Sequence, residues 1–265
     1  MRPLIACGFL LVGSSLLGFG ATPDWQASLT TDPPGSFPEL RPLRATYKFG
    51  WSGLTAATAE AHATKSEGRF ALEGSGRTIG LARALWRFDV NFRALGDAKS
   101  LRPLESIQNE TVRSKKTTTK LAFNDAGVTC ARIENGVAKK NKDFTFSDIY
   151  DLPSALVYLR SQPLKDKSVS RVVVFPTSAP YLATITVTGR EKISVRAGSY
   201  NAIKMDLQLS KVGKELDLQP HRKFRKATIW MSDDPDRLIL RIEAQIFLGT
   251  IFAELQSVKF DNPKP

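Results

Sequence analysis

The feature that most constrains this chain is an alternation of apolar and polar side chains with period two, repeated along most of its length. Phe88, Val90, Phe92 and Ala94 fall on one parity, with Trp86 leading into them, and Arg87, Asp89, Asn91 and Arg93 fall on the other. Tyr181, Ala183, Ile185 and Val187 alternate with Thr184, Thr186 and Thr188, and Ile203, Met205, Leu207 and Leu209 with Lys204, Asp206, Gln208 and Ser210. A strand turns successive side chains to opposite faces, so this pattern specifies half-buried antiparallel strands. Turn chemistry separates the runs: "SEGR" at Ser66 to Arg69, "NDAG" at Asn124 to Gly127, "ENG" at Glu134 to Gly136 and "RAGSY" at Arg196 to Tyr200. The spacing predicts an all-β, mainly antiparallel fold of roughly a dozen strands, and a sheet of that width curls or closes. The expected architecture is a large curved sheet, or an open or closed β-barrel.

One segment has helical rather than strand spacing. In "DLPSALVYLRSQPL", Asp151 is a candidate N-cap, Pro153 falls in the first turn, Leu152, Leu156 and Leu159 form a stripe, and Pro163 ends the run. A single short helix in a β-rich chain must bury its stripe, and the concave face or mouth of the curved sheet is the economical place.

The amino terminus carries Arg2 and then an apolar run from Leu4 to Phe19, the layout of a secretory signal. Gly18 and Gly20 supply the small residues of a cleavage site, so the mature start is expected near Ala21, with the chain periplasmic or secreted and soluble. "LIAC" before Cys7 matches a lipobox, yet most of the apolar run follows the cysteine, which disfavours a lipoprotein. The expected organisation is a signal over 1–20, an extended leader over 21–42, one β-rich domain over 43–261 and a tail over 262–265. Without the signal, Cys130 is the sole cysteine, on a strand-like stretch where a packed thiol is expected rather than a disulfide.

Motifs that carry chemistry are scarce. Asp233, Asp234 and Asp236 crowd into "SDDPDR", but the calcium-loop spacing is missing and Ser, Asp and Pro are turn formers, so a connection between strands is the expected role. His62 and His221 stand in no metal or catalytic motif, and "GSGRTIG" at Gly74 to Gly80 departs from the dinucleotide fingerprint. The reading leans away from an enzyme and names no catalytic residue, metal or cofactor.

Net charge is +12 for the whole chain. The basic residues cluster at Lys211, Lys214, His221, Arg222, Lys223, Arg225 and Lys226, which suits an anionic partner. For an exported chain that partner is lipid headgroups, lipopolysaccharide or an acidic wall polymer, with peripheral membrane contact open and nucleic acid excluded. Lysines on strand faces also resist edge-to-edge aggregation, so the cluster has a purely structural reading as well.

Three blocks, "DLPSALVYLRSQPL", "VTGREKISVRAGSYNAIKM" and "RKATIWMSDDPDRLILRIEAQIFLGTIFAEL", in this order resemble the bacterial envelope family known as Domain of Unknown Function 3108, from about Arg44 to Phe260. Ile239 and Leu240 stand where many members carry a proline after the turn. The resemblance implies an exported β-rich protein without assigned activity, and it carries over no functional residue. Two function classes follow. In one, the curved sheet holds a lipid or other hydrophobic ligand against Trp86, Phe88, Phe92, Leu152, Leu156, Leu159, Ile203, Met205 and Leu207. In the other, those residues are solid core and the protein acts through its basic surface as an envelope interaction or maintenance factor.

Overall fold

The computed structural model describes residues 24–35, 41–221, 224–246 and 249–261. The expected signal and cleavage site, Cys7 and the expected tail lie outside the described residues. Among the described residues, seventeen strands form one sheet and three helices accompany it: α1 (Asp24–Ala27), α2 (Gly80–Leu85) and α3 (Leu152–Ser161).

The first half of the sheet is a meander of β1 (Leu43–Trp51), β2 (Leu54–Ser66), β3 (Arg69–Thr78), β4 (Phe88–Asp97), β5 (Pro103–Val112), β6 (Lys115–Asn124) and β7 (Gly127–Glu134), each pairing antiparallel with the next. Short strands β8 (Val137–Ala138) and β9 (Lys142–Thr145) flank β7. The second half holds β10 (Ile149–Tyr150), β11 (Val169–Val174), β12 (Tyr181–Val195), β13 (Gly198–Val212), β14 (Leu218–Pro220), β15 (Phe224–Ser232), β16 (Ile239–Ile246) and β17 (Gly249–Phe260). β17 pairs with β1, joining the halves. β10 against β11 is parallel, because α3 carries the chain back between them. The expected all-β class holds, with short edge strands raising the strand number above the dozen read from the long alternating runs.

The turns follow local chemistry. Glu67–Gly68 and Asn135–Gly136 both take positive φ, at 47° and 73° and at 49° and 82°, the mirror-image turn that matches strand twist. Asn124 accepts the amide protons of Ala126 and Gly127 at 2.9 and 3.0 Å and so builds the next hairpin.

Following the register from strand to strand defines one continuous inner face. It holds Met205 and Leu207 on β13, Ile229 on β15, Ile242 on β16, Ala253 on β17, Phe49 on β1, Ala59 on β2, Gly76 on β3, Val90 on β4, Glu110 on β5, Thr117 and Leu121 on β6, and Cys130 on β7. Leu121, Val128 and Cys130 from this inner face pack against Val173, Leu182 and Val212, which point away from it on β11, β12 and β13. The sheet therefore overlaps itself as a roll, with the inner side of β6–β7 laid on the outer side of β11–β12.

Residues 24–35 are strapped to this overlap, so the leader is part of the body there. Trp25 stacks on Phe146 with ring centroids 5.8 Å apart and donates to the Leu216 carbonyl at 2.8 Å. Thr30 extends the β11 edge, exchanging hydrogen bonds with Arg171 at 2.9 Å in both directions. Tyr158 of α3 donates to the Asp32 carbonyl at 2.7 Å, and the amide of Gly35 donates to Ser161 Oγ at 3.2 Å.

Candidate functional site

A curved sheet with an apolar inner face can be filled throughout or left open at an end, and burial along individual strands distinguishes the two. On β1 the inner-face side chains run from Ala45, 3 % exposed, to Trp51, 50 % exposed. On β2 they run from Ala63 at 4 % to Leu54 at 73 %, and on β17 from Leu255 at 0 % to Ile251 at 41 %. Neighbouring β4 agrees: Ala94 is fully buried, Phe92, Val90 and Phe88 are half-buried, and Trp86 beyond the strand is exposed. The roll is thus sealed at one end and open at the other.

The sealed end has an identifiable plug. Leu43, Ala45, Leu255 and Phe260 pack with Trp230, Leu240 and the tip of the β12–β13 hairpin at Ile193 and Tyr200. The open end is lined by small residues, Ala57, Ala59 and Ala61 on β2 and Gly74 and Gly76 on β3, opposite the aromatics of β4. The Phe92 ring lies across Gly74 where a Cβ would stand, which keeps this wall thin. Trp86 and Phe88 continue the aromatic row to the rim, ring centroids 6.2 Å apart.

The sequence-derived pocket residues separate into two groups. Trp86, Phe88 and Phe92 belong to the open end. Ile203 and Met205 are fully buried and Leu207 half-buried, in a core that Ala155, Tyr158 and Leu159 of α3 enter directly. The space under the helix is therefore packed core. α3 also presents a face other than the expected one: Leu159 is buried, but Leu156 is half-buried and Leu152 exposed. The stripe at 152, 156 and 159 presumed one apolar contact, whereas α3 lies between the sheet and the strap, and Ser154, Ala155 and Ser161 allow both to approach closely.

Sequence reading missed most of the inner-face rim: Phe49, Trp51, Leu54 and Ile251. The available signal was apolar side chains on both sides of the Ser52–Gly53 turn, where a soluble hairpin places polar ones.

The other candidates have structural duties. Lys211, Lys214 and Lys226 are exposed. His221 sits between the rings of Tyr181 and Phe224 at 5.3 and 5.7 Å and accepts the Phe224 amide proton on Nδ1 at 2.8 Å. Arg222, Lys223 and the side chain of Arg225 lie outside what is described. A charged groove of about 590 Å³ crosses the outer face between β17 and β5; its His62 pairs with Asp261 at 3.0 Å and its Arg93 with Glu73 at 3.2 Å. In "SDDPDR", Asp234 accepts from the Ser232 hydroxyl at 2.8 Å and from the amides of Asp236 and Arg237 at 3.0 and 3.1 Å. Asp236 pairs with Arg41 at 3.3 Å and Asp233 with Arg190 at 2.8 Å, so this turn ties separate elements together. Cys130 donates its thiol proton to the Thr177 carbonyl at 3.1 Å, and burial pushes its pKa up, which suppresses the reactive thiolate.

Among solved structures, the chain is similar to a β-barrel-like protein of the DUF1849 family from Brucella abortus, at 10 % identity and a TM-score of 0.60, over 85 % of this chain and 100 % of that one. Two further matches are more distant: an exported protein of YmcC-like fold from Bacteroides fragilis, at 8 % identity and a TM-score of 0.33 over 84 % and 98 %, and a DUF1089 protein from Pseudomonas aeruginosa, at 13 % and 0.38 over 72 % and 90 %. The first supports a rolled, barrel-like fold and carries no function across. Comparison with curated proteins returns no match. Residues 44–256 match the sequence profile of a protein family of unknown function, DUF3108, and with most of its length inside that match the chain belongs to the DUF3108 family.

Proposed function

We propose that this protein is an exported binding protein of the cell envelope that holds an acyl chain, or a similarly elongated apolar ligand, against the inner face of its roll at the open end. The observation that carries this reading is the burial gradient: the same apolar face is core at one end and solvent-exposed at the other, on adjacent strands. Exposed apolar surface is costly in a monomer unless something covers it part of the time, and an apolar wall with a small set of fixed polar groups, here the ion-paired Glu110, Arg132 and Glu134 on the β5–β7 part of the same face, is the usual setting of a ligand site. Export is part of the proposal and rests on residues 1–20; a mature amino terminus near Ala21, found by sequencing the protein recovered from cells, supports it.

The test is a titration with a fluorescent long-chain fatty acid. Wild type is expected to bind it with little change between dilute and molar salt, because an apolar contact is not screened. Ala59→Trp, which fills the small-residue wall, is expected to weaken binding at least ~10-fold while melting as wild type does. Lys214→Glu with Lys226→Glu is expected to change nothing. If wild type fails to bind the probe, or Ala59→Trp binds it equally well, the ligand reading is lost. Binding of lipopolysaccharide that salt releases and the double lysine variant abolishes favours the basic surface instead.

A further inference from the structure

The rim carries a second apolar surface, on the helix between β3 and β4. Helix α2 buries none of its residues, and Leu81 and Leu85, one helical turn apart, are 76 % and 70 % exposed. The helix is nevertheless held firmly. Ile79 donates to the Ala56 carbonyl at 2.9 Å, Thr78 Oγ1 donates to the Trp86 carbonyl at 3.1 Å, and Arg83 bridges the Thr78 carbonyl at 3.3 Å to Asp89 at 2.8 Å. Leu81 and Leu85 are thus displayed on a fixed platform, joined to exposed Trp86 at its end and near Leu54 and Trp51 across the start of β2.

Charge around this platform is mostly basic, with Asp89 and Glu134 held in ion pairs. Arg87 is exposed on the chain leaving α2, and its carbonyl accepts the Arg113 amide proton at 2.7 Å, which brings the β5–β6 turn alongside. Arg113 on that turn, Lys116 at the start of β6 and Arg77 on β3 are exposed, and Asp89 is the carboxylate that pairs with Arg83 and Arg87 there. Leucines and tryptophan projecting from a rigid tip with cations set behind them match the two layers of an anionic leaflet, acyl chains within and phosphate above, and tryptophan favours the boundary between them.

We infer that α2 and the β1–β2 turn dock this end of the molecule on an anionic lipid leaflet, with Leu81, Leu85 and Trp86 entering the interface and Arg87, Arg113 and Lys116 meeting the phosphates. This goes beyond ligand binding and names the surface that the open end faces; it rests on the exposed leucines of α2 and stands whether or not an acyl chain enters the roll.

Co-sedimentation of the purified protein with phosphatidylcholine vesicles, with and without phosphatidylglycerol, tests it. Wild type is expected to sediment with the anionic vesicles, with its tryptophan emission shifting to the blue. Leu81→Asp with Leu85→Asp is expected to lower the partition at least ~10-fold. Because both leucines are mostly exposed, its melting curve and its fatty-acid binding are expected to match wild type, which separates this test from the previous one. Arg113→Glu with Lys116→Glu is expected to lose the preference for anionic vesicles. Wild type remaining in the supernatant with both vesicle types overturns the inference, as does equal sedimentation of the leucine variant. A self-associated species in vesicle-free sedimentation velocity that the leucine variant dissolves assigns the patch to a second copy of the chain and also overturns it.

Discussion

Asp151 caps α3 through one carboxylate oxygen, which accepts the Ser154 amide proton at 2.8 Å, while its other oxygen is buried with no hydrogen-bond partner among the described residues. Burial raises its pKa to about 6. A carboxyl whose folded pKa exceeds its unfolded value stabilises the fold fully at pH below the unfolded pKa, and that contribution is lost as pH rises through about 6. The ionised group therefore costs on the order of 3 kcal/mol at neutral pH. Asparagine retains the capping oxygen and removes the charge. Asp151→Asn is expected to be more stable than wild type by about 1–2 kcal/mol at pH 7, since its amide leaves polar atoms of its own buried, and to lose that advantage by about pH 4. Thermal melts of both proteins from acid to neutral pH measure the difference, in which every other titrating group cancels. A difference that stays constant across the range shows that Asp151 does not titrate inside the fold.

At the scale of elements, α3 marks where sequence was informative and where it stopped. Its limits were legible, because the Asp151 cap and the Pro163 stop are local chemistry. Its buried face was not, because a stripe of leucines presumes one neighbour and α3 has two, the sheet and the strap at 30–35. The hairpins were legible for the same reason as the cap: Asn-Gly and Glu-Gly turns encode their own φ values. α2 was not, since six residues that bury nothing leave no periodic signal. The helix that results has unequal leucines. Leu159→Ala removes a buried side chain and is expected to cost about 2–5 kcal/mol, whereas Leu152→Ala, at the exposed first turn, is expected to stay within about 0.5 kcal/mol. Urea denaturation separates these values easily. Equal costs at the two positions would return α3 to the Leu152, Leu156, Leu159 face.

On the scale of the whole molecule, period-two alternation reports which face a side chain takes but not how deep it lies, so neither the sealed end nor the open one could be read from it. Nor could the overlap, in which apolar side chains on opposite faces of the same sheet become neighbours. Cys130 lies in that seam, on β7 against the outer side of β12, and the strap closes over it through Trp25 and Leu29. A thiol reagent can reach it only when β6–β7 lifts from β11–β12. In a Cys7→Ser background, Cys130 is expected to react at least ~100-fold more slowly in the native protein than in urea, as sub-global opening governs buried sites. Trp25→Ala removes the Phe146 stack and the hydrogen bond to Leu216, and is expected to speed native labelling at least ~10-fold if the strap pins the seam. Ala59→Trp at the open end is expected to leave the labelling rate unchanged, because the mouth and the seam are separate parts of the roll. Labelling of native protein as fast as unfolded would show that the sheet does not remain rolled. Acceleration by Ala59→Trp as well as by Trp25→Ala would show instead that mouth and seam open together, and that filling the mouth strains the whole roll.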